Sequence, residues 1–314
     1  MVFARLTRRV KGSLTPFPDR LAGLVEERRS QVVLGLDPDP AALWPAALED
    51  DDLDHEPAVR AAAAVGRHCR LAIEAAGSAC VAVKAQLACF ERLGAPGWAA
   101  LERTAAAARE HGLLVIADGK RGDVPVTAKA YGQALVGETP GPFGAVPGLG
   151  ADALTANPLL GRDSLEPLVQ AARRAGAGVF VLVRTSNPGA ADVQDSGDPP
   201  VHERLAELTD QLGEAHESGL ADVGAVCGAT RPEHLARLRE LMPRAPFLLP
   251  GIGAQGGSAE ALGPAFAPHH AGGLITASRS IVDAHRDRGG DPAWAAGAAA
   301  AELREVGWRT ARAG

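Results

Sequence analysis

Aromatic side chains are scarce in this chain, at 4% of residues with a single tyrosine, so its core must be built from alanine, valine and leucine. Cysteine is sparse as well. Cys69, Cys80, Cys89 and Cys227 form no Cys-x-x-Cys pair and show no zinc-type spacing with histidine, so they read as reduced core thiols. No apolar stretch reaches the ~18 residues of a membrane span. The opening residues, MVFARLTRRVKGS, are charged and lack the apolar segment of a secretory signal, which predicts a cytoplasmic protein. There is no excess of positive charge. The formal net charge of −6 gives no general attraction for nucleic acid or an anionic membrane, although a local basic pocket for a small phosphate stays open.

What is present is a globular balance of 46% apolar and 22% charged residues over 314 positions. Eight apolar runs of strand length recur: 32–37, 79–85, 113–118, 153–157, 178–184, 222–228, 247–251 and 272–276. Their continuous hydrophobicity predicts strands covered on both faces, as in a parallel sheet. Ala-rich amphipathic segments lie between them. One is closed by Gly112, and another opens at Ser164 as an expected N-cap. Eight strand-plus-helix units predict an α/β fold of the (β/α)₈ barrel type, for which about 250 residues is typical. The surplus fits a helix near 18–29, within an N-terminal extension over residues 1–30, and longer loops near 38–56, 137–152 and 187–200. No linker divides the chain, so a single domain over 1–314 is expected.

In such a barrel, residues at the C-terminal strand ends share one mouth. Here those ends are polar: Asp37; Lys84 and Gln86; Asp118 and Lys120; Asn157; Thr185, Ser186 and Asn187; then GAT (228–230), PGIGAQGG (250–257) and ASRS (277–280). The glycine-rich loop offers backbone N–H groups and Arg279 a forked cation, a combination suited to phosphate. No Gly-x-x-x-x-Gly-Lys-Ser/Thr run exists, so a nucleoside-triphosphate loop is excluded. The acidic run EDDDLDHE (49–56) lacks the spacing of a calcium loop and reads as a solvated turn. His269-His270 reads as surface. Arg121-Gly122-Asp123, an adhesion-like tripeptide, arises often by chance. Asp118, Lys120 and Asp123 of DGKRGD (118–123), with Lys84 arriving from the adjacent strand, alternate in charge and can satisfy one another without a metal.

At these residues the sequence resembles the orotidine 5′-phosphate decarboxylase family, in its longer bacterial branch. The hallmark Asp-x-Lys-x-x-Asp plus an aliphatic residue is matched by Asp118, Lys120, Asp123 and Val124. VLGLDPDP, VKAQLACFERLG, IADGKRGDV, TANPLLGRDS, VRTSNPGA, GAVCGATRPE, LLPGIGAQGG and ASRSI follow in the expected order. The resemblance implies a cofactor-free, metal-free carboxy-lyase that converts orotidine monophosphate to uridine monophosphate. It implies a network of Lys84, Asp118, Lys120 and Asp123, with Lys120 protonating C6 and Asp118 crowding the substrate carboxylate. Lys84 would hold Asp118 and reach the ribose, Asp37 would bind ribose hydroxyls, Ser186 the pyrimidine, and Gln255 and Arg279 the phosphate. It further implies a homodimer in which Asp123 and Thr127 complete the neighbour's site. Ala85 stands where the family has proline, and Asn157 and Thr230 match no family role.

The Asp-x-Lys-x-x-Asp pattern alone is shared with sugar-phosphate relatives that use magnesium to hold an enediolate. A Schiff-base lysine and a barrel that only binds a nucleotide are the further alternatives. The full series of motifs favours decarboxylation.

Overall fold

Strands buried on both faces need helices outside and side chains inside, and the chain supplies both. The computed structural model describes residues 15–49, 55–229, 233–252 and 256–313. Its eight principal strands are β1 (Val32–Leu36), β2 (Ala82–Gln86), β3 (Leu114–Arg121), β4 (Ala153–Ala156), β5 (Gly178–Arg184), β6 (Val223–Cys227), β7 (Phe247–Pro250) and β8 (Gly273–Ala277). Each is parallel to its sequence neighbours, and β8 pairs with β1 to close the barrel. The chain is therefore a (β/α)₈ barrel. The principal outer helices are α2 (Pro57–Ala76), α3 (Gly94–Glu110), α4 (Pro125–Leu135), α5 (Arg162–Ala175), α6 (Val201–Leu212), α7 (Glu233–Leu241) and α8 (Pro292–Ala313), after an opening α1 (Phe17–Arg28). Among the described residues, no helix is long and apolar enough to cross a membrane.

All eight expected runs become strands, with shifted edges. β2 starts only at Ala82, because Gly77–Ala79 forms a 3₁₀ turn, and β3 runs on to Arg121. Ser164 is not an N-cap. Gly161 occupies that position at φ 90°, so α5 begins earlier and the Ser164 hydroxyl, inside its first turn, donates to the Gly161 carbonyl at 2.7 Å. The loops near 137–152 and 187–200 carry local structure: a two-stranded ribbon of Glu138–Thr139 and Val146–Pro147, and a short helix Ala190–Val193. Most of the acidic run lies outside the described residues. The four cysteines are free, and burial pushes the Cys69, Cys80 and Cys227 thiols up to about 12.

With so few aromatics, the barrel interior is filled by aliphatics and plugged from below. Val33, Val81, Leu114, Ile116, Phe180, Val226, Leu248 and Leu274 form one cluster with Phe17, Leu21 and Val25 of α1. Phe17 meets Phe180 edge-on, with ring centroids 5.9 Å apart, a favoured aromatic geometry.

Arginines bind backbone carbonyls and carboxylates where the chain turns into the strands at this lower end. Arg28 donates to Gly77, Cys80, His111 and Gly112, ahead of β2 and β3. Arg20 donates to Asp152 and to the Gly176 carbonyl, ahead of β4 and β5. Arg173 pairs with Asp222 just before β6. Arg239 donates to Met242, Ala245, Ala265 and Gly272 at 2.7–2.9 Å, ahead of β7 and β8, and its guanidinium lies 3.8 Å from the Phe247 ring centroid. Burial holds its pKa down, at about 10.

A buried carbonyl without a donor costs about 1–3 kcal/mol. Arg239→Met should therefore destabilise the fold by roughly 3 kcal/mol or more in urea unfolding; a loss under about 1 kcal/mol would show that these carbonyls find other partners.

Candidate active site

The parallel barrel brings its functional side chains together at the opposite end, and register decides which of them meet. Gln86 on β2 lies level with Asp118 on β3, and Lys84 lies one pleat below it. Successive same-face residues are two apart along a strand, so Lys84, Gln86 and Asp118 form one patch. Asp118 is the centre of that patch, 3% exposed, with its two oxygens divided among donors. Lys84 Nζ donates to Oδ2 at 2.5 Å. Lys120 Nζ donates to Oδ1 at 2.7 Å, and the Thr155 hydroxyl donates to the same oxygen at 2.8 Å. Lys84 also lies 3.8 Å from Asp37, across on β1's end. With its amide turned to satisfy both ends, Gln86 donates to the Asp118 carbonyl at 2.7 Å and accepts from Lys120 Nζ at 3.3 Å.

Burial works to raise the Asp118 carboxyl, but the Lys84 and Lys120 ammonium groups outweigh it and hold the pKa at about 2. The same pairing works on Lys84. Burial disfavours its charge, yet Asp118 and Asp37 raise its pKa above the ordinary lysine value. Both groups are thus kept charged at neutral pH in a place where neither could stand alone.

Above the array opens a cavity of about 350 Å³. Its lining includes Asp37, Lys84, Asp118, Lys120, Ser186 and Arg279, so six of the nine expected site residues meet there. Three cations face two carboxylates, a balance that favours an anionic ligand. Its floor is apolar, with Val226, Leu248 and Ile252, and the Thr276 hydroxyl faces it from β8. At one edge Gly251, at φ 106°, starts an arch closed by Gly257 N–H donating to the Gly251 carbonyl at 3.0 Å. A Cβ on Gly257 would come within 2.7 Å of that carbonyl, so the arch requires glycine there. Gln255 lies outside the described residues, as does Thr230.

Asp123 and Thr127 are not in the lining of this cavity among the described residues. Asp123 instead accepts from the adjacent Val124 N–H at 2.7 Å, just ahead of α4. Asn157 has a local role: its side chain accepts from Leu159 N–H at 3.0 Å and shapes the turn after β4. Ser186 is carried on a braced loop. Arg184, 4% exposed, grips Asp195 at 2.7 and 2.9 Å, and Gln194 accepts from Thr185 N–H at 2.8 Å.

One contributor escaped sequence reasoning, and another was seen without its role. Thr155 sits within the apolar run of β4, where a fully buried hydroxyl is the available signal, since such a group needs a partner. Gln86 was visible as a strand-end polar residue, but nothing in the sequence told its level relative to Asp118.

A closed barrel with a lysine–aspartate array and an open, polar mouth at the C-terminal strand ends defines a class: a (β/α)₈-barrel enzyme. Comparison with known proteins narrows the class. Residues 30–289 match the family described as orotidine 5′-phosphate decarboxylase / HUMPS. The orotidine 5′-phosphate decarboxylase of Deinococcus radiodurans is 49% identical over 214 residues, covering 67% of this chain and 74% of the relative. That of Haloarcula marismortui is 42% identical over 304 residues, covering 92% of this chain and 97% of the relative. The structure of Leishmania donovani OMP decarboxylase superposes with a TM-score of 0.68 at 33% identity, covering 93% of this chain and 98% of that one. This chain belongs to the orotidine 5′-phosphate decarboxylase / HUMPS family.

The Asp118 arrangement carries a pH signature. Its pKa falls from 3.8 unfolded to about 2 folded, so its stabilisation is complete above about pH 4 and is lost as pH falls through about 2. Asp118→Asn should cost about 3 kcal/mol at pH 7 by leaving Lys84 buried without its main counter-ion. In urea titrations the gap between variant and parent should begin to narrow below pH 4. A gap absent at pH 7, or constant down to pH 2, would contradict this account.

Proposed function

We propose that this protein decarboxylates orotidine 5′-monophosphate to uridine 5′-monophosphate and carbon dioxide, without metal or organic cofactor, in cytoplasmic pyrimidine synthesis. The observation that carries the reading is the buried Asp118 carboxylate, kept ionised between Lys84 and Lys120 in the lining of a cavity where cations outnumber carboxylates. A substrate carboxylate placed beside it meets a like charge, and at about 4 Å that repulsion is of order 4 kcal/mol at an effective dielectric near 20. Carbon dioxide leaves with no electron pair, so negative charge collects at C6 of the pyrimidine. The Lys120 ammonium stabilises that charge and then delivers its proton to C6. Enzymes lower barriers by up to about 23 kcal/mol, so repulsion supplies a minor part and stabilisation of the carbanion in a preorganised site the larger one.

The remaining residues bind and orient. Arg279, Gln255 and the backbone N–H groups of the glycine-rich loop take the phosphate. Asp37 and Lys84 hold the ribose hydroxyls, and Ser186 on its braced loop contacts the pyrimidine. Energy from phosphate binding is spent on closing the arch over the site.

Asp123 and Thr127 serve the site of a second copy in a homodimer. Their position outside their own chain's cavity supports this, as does the apolar surface around them: Val124, Val126, Leu159 and Leu160 are all exposed. The two loops that carry this surface touch, since a Cβ on Gly122 would lie 2.6 Å from the Asn157 carbonyl.

Loss of orotidine monophosphate absorbance tests the activity. Conversion should be fast and unchanged by a chelator, and Lys120→Ala should still bind uridine monophosphate while losing nearly all turnover. Chelator-sensitive conversion, or near-normal turnover in that variant, would reject the mechanism. The shared site has its own test. Equal mixing of inactive Lys120→Ala and Asp123→Asn proteins should restore about a quarter of the parent activity, because half the dimers are hybrids with one intact site. Failure of mixing to restore activity, once subunits exchange, would place Asp123 in its own chain's site.

A further inference from the structure

The array depends on a residue outside the cavity lining. We infer that Thr155 is a positioning residue for the reaction: its hydroxyl fixes both the Asp118 carboxylate and the backbone from which Lys120 springs. The inference rests on the decarboxylase reading above.

The hydrogen-bond directions at Thr155 follow from the partners' chemistry. A backbone N–H can only donate and a carboxylate can only accept. Lys120 N–H therefore donates to Thr155 Oγ1, at 2.9 Å, and the single Thr155 hydroxyl proton goes to Asp118 Oδ1, at 2.8 Å. Both roles of the hydroxyl are used, and the residue is fully buried.

The backbone explains why such a support is needed. β3 and β4 pair regularly at Ile116 and Ala117, then lose register until Arg121 meets Ala156. Lys120 lies within this irregularity at φ 47°, a left-handed conformation that a residue with a Cβ seldom adopts. A strand that leaves register loses carbonyl partners for its N–H groups. The Thr155 side chain fills that gap for Lys120, on the strand to which β3 should have been bonded. The left-handed residue and the proton-bearing lysine are the same residue, so the strain is placed where the geometry is used.

The chemistry gives the second bond its purpose. Lys120 Nζ and Thr155 share Asp118 Oδ1. When the ammonium turns toward C6 and gives up its proton, Oδ1 loses that donor. Lys84 still holds Oδ2, but one bond to one oxygen leaves the carboxylate free to rotate. Thr155 supplies the second fixed point through that part of the cycle.

Thr155→Val tests this, being nearly isosteric, β-branched and without a hydroxyl. Its kcat should fall on the order of 10- to 100-fold, the effect of losing a hydrogen bond to a charged group, with KM and uridine monophosphate affinity within about three-fold of the parent. Thr155→Ser, which keeps the hydroxyl, should return kcat to within about three-fold. If Thr155→Val fails to fold, Thr155→Cys keeps the volume with only a weak donor and should show the same split. Parent-like kcat in the folded hydroxyl-less variant overturns the inference, as do equal kcat losses in the Ser and Val variants or a loss confined to KM. An inactive parent enzyme would instead defeat the decarboxylase reading itself.

Discussion

A carboxylate taken out of water costs several kcal/mol unless fixed charges replace the water it loses. Asp118 is such a carboxylate, and the top of the barrel is arranged around meeting that demand. Two ammonium groups and a hydroxyl converge on its oxygens from β2, β3 and β4, so three strands must keep their levels to within a fraction of a residue. Between β2 and β3 the regular parallel ladder provides that constancy, since a one-residue slip would turn their polar side chains away from the mouth, and between β3 and β4, where register is lost, the Thr155 hydroxyl bridges the strands instead. Rigidity here follows from electrostatics as much as from packing.

The two ends of the barrel use basic residues differently. At the lower end arginines spread several donors over backbone carbonyls and the Asp152 and Asp222 carboxylates ahead of the strands, a task for a planar, multidentate fork. At the upper end the array is built on lysines, which concentrate charge at one nitrogen and can release a proton. Arginines at the upper end stand outside that array: Arg184 grips Asp195 with two donors, and Arg279 lines the cavity. Choice of cation thus follows function along the barrel axis.

Most of the fold was legible because buried parallel strands leave unbroken apolar runs, as VVLGLD and GVFVLVR do, and because Gly112 marks a helix end. The edges were less so. Gly161, rather than the better capping residue Ser164, begins α5, since the left-handed turn before the helix required glycine. The charged part of the site was legible from Lys84, Asp118 and Lys120, whose placement at strand ends has no packing explanation. Thr155 was not, because a threonine within an apolar run is ordinary in a strand and only the irregular pairing of β3 gives its hydroxyl a task. Which copy's site Asp123 serves is likewise invisible to strand patterns, which describe one chain.

The plug formed by α1 sets an order of events during synthesis. Phe17 leaves the ribosome well before Phe180, the ring it packs against, and its helix cannot dock until strands from both halves of the barrel exist. The apolar stripe of Phe17, Leu21 and Val25 must therefore wait, exposed, through most of translation. Long-range closure of this kind makes folding slow and leaves a sticky intermediate. For the nascent chain, α1 is made before every strand of the barrel and yet is among the last elements to find its place.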